Sequence, residues 1–257
     1  MTTQTNEYPT KAYGATAPDS GVGPMQITRR GLRHDDVLIE ITHCGICHSD
    51  LHSARNDWGG TVYPIVPGHE IVGTVTAVGK GVTRHKVGDR VAIGCMVDSC
   101  MECAHCADDL EQYCLDGGMT GTYNGKDRRD GSLTFGGYSE RIVCREEFVL
   151  KIPAGMPMAE AAPLLCAGIT TYSPLKNWNV GPGTRVGVIG LGGLGLGRRA
   201  VGLPGALGHR RRRRKPTPTL ASPSSAVSSP SSRRPTARRT TCTTARPTTP
   251  TRICSIV

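Results

Sequence analysis

Residues 44–70, CGICHSDLHSARNDWGGTVYPIVPGHE, place a thiol at Cys47 and, 22 positions later, an imidazole at His69 with a carboxylate beside it at Glu70. Thiolate, imidazole and carboxylate are ligand types that zinc accepts, and three protein ligands with one open position make a reactive centre. A distant further thiol, Cys166 in PLLCAGITTY, is available to complete the set. Cys44 competes with Cys47, because the two are spaced C-x2-C; the residues alone leave that choice open.

On either side of this stretch the pattern is that of strands. VLIEITHCGI (37–46) has period-two, β-branched character, EIVGTVTAVGKGV (70–82) repeats it with Gly73 as a bulge or tight bend, and VGDRVAIG (87–94) follows a glycine turn. GGYSERIVCREEFVLKIP (136–153) returns to strand. Short strands at this spacing, separated by Pro and Gly, predict a partly closed barrel. MAEAAPLLCAGITTYSPL (158–175) predicts a helix broken near Pro163 and ended by Pro174, and GTRVGVIG (183–190) predicts a buried strand.

Between the strands, Cys100, Cys103, Cys106 and Cys114 form C-x2-C-x2-C-x7-C. One looping segment with that spacing can wrap a tetrahedral zinc in four thiolates. An iron–sulfur cluster shares the first three spacings, but its fourth cysteine is usually followed by proline, and Cys114 is followed by Leu115. The set predicts a closed, structural zinc. Further on, Gly190, Gly192, Gly193 and Gly195 in GLGGLG follow the apolar run RVGVI, as in turns that bring a backbone close to a pyrophosphate at a helix N-terminus.

Together these residues resemble the zinc-dependent medium-chain alcohol dehydrogenases. CGICHSDLH, Trp58 and YPIVPGHE are most similar to the cinnamyl-alcohol-dehydrogenase branch, over about residues 11–195. The resemblance implies an α/β plus β-barrel architecture. A chaperonin-10-like zinc-binding domain would occupy 1–155, the start of a Rossmann nucleotide-binding domain 156–197, and an aberrant, disordered basic tail 198–257. It places the catalytic ligand at Cys47 rather than Cys44, with His69 and Cys166, and Glu70 as a nearby or exchanging fourth group. Asp50 resembles the carboxylate that orients a ligating histidine. Ser49 and His52 correspond to a proton relay, His48 to a basic group near the cofactor pyrophosphate, and Trp58 to a substrate-pocket wall. The implied cofactors are one catalytic and one structural zinc and NADP, or NAD, since the discriminating residues are replaced by RRRRRKPT at 210–217. The implied reaction is hydride exchange with a small-molecule alcohol or aldehyde, and the family forms homo-oligomers.

Charge separates the tail from the body. Residues 1–197 hold 17 basic and 21 acidic residues, net −4, whereas 198–257 hold 14 basic residues (13 Arg, one Lys) and no acid, net +14. At average usage 60 residues would carry about 7 acids. The Arg, Pro and Ala bias is that of a GC-rich gene read in the wrong frame beginning between 196 and 205, and its composition cannot bury a core. The rival readings are a basic-tailed, nonspecific nucleic-acid binder and a folded, zinc-binding but inactive remnant. The arginines lack interleaved aromatics, so nucleic acid is not the favoured partner. MTTQTNEYPTKAYG lacks an apolar export core and no apolar run of membrane-spanning length occurs, so the eleven cysteines predict metal in a cytoplasmic protein rather than disulfides.

Overall fold

The computed structural model describes residues 7–181, 184, 186–188, 192–197 and 252–253. The chain divides into two units, 1–170 and 171–257. The first opens with a hairpin of β1 (Tyr8–Gly14) and β2 (Gly23–Arg29). Then come β3 (Asp36–Cys44), α1 (His48–Ala54), β4 (Ile71–Val78), β5 (Arg90–Ile93) and β6 (Met96–Asp98). α2 (Ala104–Ala107), β7 (Thr120–Gly121), β8 (Arg141–Arg145), β9 (Leu150–Lys151) and α3 (Met158–Ala161) complete its named elements before α4 (Ala167–Asn177) begins.

The central sheet is antiparallel in the order β8-β3-β4-β5-β9. One face buries Val37, Ile39, Ile71, Val75, Val91, Ile93 and Ile142; the other buries Val72 and Ala92 beneath Ala161 and Ala162. Alternation along each strand produces this division, since neighbouring side chains leave opposite faces. Gly73 lies where β3 comes too close for a side chain: a Cβ there would sit 2.2 Å from the Glu40 carbonyl. The irregularity beside Gly73 lies on the partner strand, between Ile41 and His43, and a second register shift falls between Leu38 and Ile39.

The sheet corrects the barrel expectation, because no ladder joins β8 to β9 among the described residues. Yet those two edge strands are consecutive in the chain, linked by residues 146–149. That link, a 3-10 turn over Glu146–Phe148, carries the chain from one edge of the sheet to the other. β9, two residues long, is too short to complete the ring.

The predicted helix over 158–175 is broken where expected: α3 ends at Ala161 and a 3-10 turn covers Ala162–Leu165, with Pro163 inside it. Its end differs. α4 runs through Pro174 to Asn177. Proline forfeits its own N–H bond and crowds the preceding turn, but its carbonyl still accepts, here from the Trp178 amide at 3.1 Å, so the last turn continues past it.

In the second unit, β10 (Val186–Gly187) pairs in parallel with β11 (Arg252–Ile253), and α5 covers Gly193–Gly197. β10 is shorter than the predicted buried strand; Val186 is half-buried and Gly187 exposed. Arg252 and Ile253 depart from the expected structureless tail. They belong to RICSIV, the most apolar run of that segment. The rest of 198–257 and Gly190 of the glycine fingerprint lie outside the described residues. Among the described residues no helix is long and apolar enough to cross a membrane.

Candidate metal centre

The register of β3 on β4 builds the centre. Cys44 opposes Ile71, and the Gly45 amide donates to the Glu70 carbonyl at 2.9 Å, so the chain leaving β3 passes directly beside His69 and Glu70. Cys47 then precedes α1, and Cys166 arrives on the far side from the turn before α4. The ligand atoms of Cys47, His69, Glu70 and Cys166 all lie within 4.8 Å of one another. The Cys47 and Cys166 sulfurs are 3.8 Å apart. Two thiolates at ~2.3 Å from a tetrahedral zinc would stand about 3.8 Å apart, so the donors fit the ion in both chemistry and spacing. Cys44 is outside the group; its sulfur contacts the Gly45 carbonyl at 3.6 Å, and burial pushes its thiol up to about 12.

Asp50 orders this arrangement. Its buried carboxylate accepts from the Cys47 amide (2.9 Å), the Gly68 amide (2.9 Å) and Tyr138 Oη (3.0 Å). It also holds His69 Nδ1 at 2.9 Å. Pinning Nδ1 leaves Nε2 as the metal-binding nitrogen. Burial alone would lower the His69 imidazole, but the Asp50 hydrogen bond and charge outweigh it and raise it to about 10. Burial would likewise raise Asp50, and its bond to His69 reverses that. Glu70 is raised by burial, with its carboxylate held by the Ala167 amide. Room for that carboxylate depends on Gly45, where a Cβ would fall 1.9 Å from Glu70 Oε2.

The second cluster is local. The sulfurs of Cys100, Cys103, Cys106 and Cys114 also lie within 4.8 Å of one another, with Cys100–Cys106 at 3.7 Å and Cys103–Cys106 at 3.5 Å. Amides of its own loop point at the sulfurs: Cys103 N–H to Cys100 (3.3 Å), Leu115 N–H to Cys103 (3.3 Å) and Cys100 N–H to Cys114 (3.5 Å). These donors favour thiolate. The Leu115 amide leads in lowering Cys103 to about 6, and the Cys100 amide lowers Cys114.

The remaining predicted residues lie on or near α1. Ser49 is half-buried and His48 exposed. His52 Nδ1 is 2.8 Å from Asp57 Oδ2, and its ring lies 5.4 Å from His48 and 5.0 Å from Trp58. Trp58 is 65 % exposed. Gly192, Gly193 and Gly195 belong to the second unit, with the latter two in α5.

Three residues of the centre were missed from sequence. Tyr138 binds Asp50, the Tyr123 ring lies 5.8 Å from His69, and Cys95 Sγ comes within 3.9 Å of the Leu165 carbonyl, beside Cys166. The two neighbouring thiols shift one another, Cys95 downward and Cys166 up to about 12. The FGGY run around Tyr138 carried the one usable signal: a Cβ on Gly137 would meet Ile71 at 2.3 Å, so the glycines permit the approach.

A cavity of about 530 Å3 opens elsewhere, lined in part by Arg30, Arg33, Asp98, Asp127, Arg129 and Arg145, and holds none of the metal-site residues. Its guanidiniums are engaged by carboxylates: Arg33 by Asp127, Arg129 by Asp35, Arg145 by Asp98 and Glu147.

An antiparallel sheet carrying a mixed Cys/His/Glu centre and a four-cysteine loop defines a domain of the alcohol dehydrogenase type. Residues 33–154 match the alcohol dehydrogenase GroES-like domain. It is 57 % identical over 197 residues to NADP-dependent alcohol dehydrogenase C 1 of Mycolicibacterium smegmatis, covering 77 % of this chain and 56 % of that protein. Aldehyde reductase YahK of Escherichia coli is 55 % identical over 186 residues, 72 % of this chain and 53 % of the relative. Among solved structures, a cinnamyl alcohol dehydrogenase of Sorghum bicolor superposes with a TM-score of 0.72 at 44 % identity, over 74 % of this chain and 54 % of the other. A Helicobacter pylori counterpart solved with NADP(H) gives the same score and identity over 75 % and 55 %. The chain thus spans about half the length of the curated relatives it matches.

Proposed function

We propose that this chain carries the zinc-binding half of an alcohol dehydrogenase or aldehyde reductase that exchanges hydride between NADP(H) and an alcohol or aldehyde, in the manner of the cinnamyl enzymes. The observation that carries the reading is the convergence of Cys47, His69, Glu70 and Cys166, in a chain whose relatives are named NADP-dependent alcohol dehydrogenase and aldehyde reductase. A zinc ion held there supplies a Lewis acid for the substrate oxygen. Cys47, His69 and Cys166 would bind it, Glu70 would exchange with substrate or water as the fourth donor, and Asp50 would fix the His69 ring. Ser49 would take the proton at its hydroxyl and His52 would pass it outward. His48 would serve as a basic group for the cofactor pyrophosphate, and Gly190, Gly192, Gly193 and Gly195 would form a phosphate-binding turn. The four-cysteine loop would hold a second, structural zinc.

The domains of this reading would be 1–155 zinc-binding, 156–197 the opening of a nucleotide-binding domain, and 198–257 an aberrant tail. The absence of acids among 60 residues and the Arg bias support a tail read out of frame. The working protein would be a cytoplasmic homo-oligomer with no nucleic-acid partner. The test is NADPH oxidation with cinnamaldehyde and benzaldehyde, run at equal zinc content on the 257-residue chain and on one whose sequence beyond 197 is translated in the restored frame. Turnover is expected from the restored chain and negligible turnover from the present one. Comparable rates would overturn the reading of the tail; a zinc-loaded restored chain without turnover would overturn the function.

A further inference from the structure

We propose that Cys95 is an oxidation site built against the candidate catalytic centre: a hydroperoxide oxidises its thiol, which then captures Cys166 as a disulfide and removes a metal ligand. The inference rests on the reading of Cys47, His69 and Cys166 as a zinc site.

The geometry is specific. β5 ends at Ile93, and a Cβ on Gly94 would stand 3.2 Å from the Leu165 carbonyl, so the two backbones run in contact one residue before both thiols. Cys95 Sγ approaches the Leu165 carbonyl at 3.9 Å, and Cys166 is the next residue along from that carbonyl. Cys95 is nevertheless no member of the ligand group. Among the described cysteines it is also the only exposed one; Cys44 is half-buried and Cys144 sits in the core. A thiol that is reachable, outside the ligand group and beside the segment that carries a ligand thiol is the first to meet an oxidant and has its resolving partner close by.

The chemistry balances. The Cys95 sulfur attacks the O–O bond, an S–O bond forms, and the leaving alkoxide or hydroxide departs with the thiol proton; sulfur is oxidised by two electrons and the peroxide reduced. Cys166 sulfur then attacks the Cys95 sulfur, the S–S bond forms, the S–O bond breaks, and hydroxide leaves as water with the proton that the Cys166 thiol gives up. Two thiols and one hydroperoxide give one disulfide, one alcohol (or water) and one water, while the centre keeps only Cys47, His69 and Glu70.

The experiment uses the full 257-residue chain, reduced and zinc-loaded, treated with hydrogen peroxide. Zinc release is followed with a chromogenic chelator and the disulfides are mapped on peptides without reduction. One zinc should leave per Cys95–Cys166 disulfide, and dithiothreitol with added zinc should reverse both changes. Cys95→Ser, or Cys95→Ala should the serine variant fold poorly, should release zinc about tenfold more slowly at the same peroxide concentration. Unchanged release in both variants, no oxidation at Cys95, or a Cys47–Cys166 disulfide in its place would overturn the inference. Zinc in the untreated chain is measured first. A single ion confined to the four-cysteine loop would sink the catalytic-centre reading, and the peptide map would still show whether Cys95 and Cys166 pair.

Discussion

The two thiol-rich clusters obey different rules. Cys100, Cys103, Cys106 and Cys114 fall within 15 residues and are held by amides of the same loop. Cys47, His69, Glu70 and Cys166 spread over 120 residues and meet only because β3 and β4 pair in one register and α3 returns the chain across the sheet. A local cluster is therefore a property of spacing, whereas a dispersed one is a property of the fold. The first makes the lobe; the second is made by the sheet.

The sharpest way to break that contrast is to remove one thiol from each. Cys100→Ser should cost the four-cysteine lobe its ion and its structure, because binding free energy at such a site is folding free energy, on the order of 10 kcal/mol. Cys47→Ser should empty only the dispersed centre and leave the sheet folded. Elemental analysis and circular dichroism check both: two zincs are expected in the parent, one in Cys47→Ser, and a lost lobe in Cys100→Ser. Equal loss of structure in both variants would erase the distinction.

Protons should discriminate next. A ligand whose pKa lies above the working pH must shed a proton as metal binds, so each such group weakens binding about tenfold per unit fall in pH. In the dispersed centre His69 at about 10 and Cys166 at about 12 both carry protons to shed. In the loop, Cys103 at about 6 is already thiolate at neutral pH, and Cys106 at about 11 is not. As pH falls from about 8 to 6.5, the dispersed centre should release its ion first. A zinc-dye titration of Cys47→Ser against the parent separates the sites; earlier release from the loop would reverse the assignment.

What was legible in the sequence follows the same division. The C-x2-C-x2-C-x7-C spacing declared its site outright, and period-two alternation declared β3, β4 and β5. Cys47, His69 and Cys166 needed a resemblance, because no local pattern ties position 47 to 166. Tyr138 and Cys95 stayed hidden for the same reason: each meets the centre through strand pairing and turn geometry, which leave no fixed spacing. The open edge between β8 and β9 was illegible because strand pattern gives alternation and length but not which edges meet. The end of α4 was misjudged because one proline was weighed without its position in the helix.

Asp50 tests how far the dispersed centre depends on support. Asp50→Asn keeps the shape but cannot accept four donors as a carboxylate does, and the His69 ring loses its fixed orientation. Changes of this kind cost about 10–100-fold in metal affinity. The loop site should be unaffected, and competition with a chelator of known affinity reads both ions.

The smallest effect compares two glycines. Gly118, just beyond the loop cysteines, has φ +78°, and the place a Cβ would take has nothing within 4 Å. Gly118→Ala therefore meets only backbone strain, about 1–2 kcal/mol. Gly45 has no such dihedral requirement, but its Cβ would land 1.9 Å from Glu70 Oε2 and 2.9 Å from Glu70 Cδ. Gly45→Ala therefore meets overpacking, about 1–3 kcal/mol. Thermal or urea unfolding should find the two variants similarly destabilised, so stability alone does not tell them apart. Metal does: Gly118→Ala should retain both ions, whereas Gly45→Ala should displace Glu70 and weaken only the dispersed centre. If Gly45→Ala binds both ions with parental affinity, Glu70 is not coupled to that centre and its donors reduce to Cys47, His69 and Cys166.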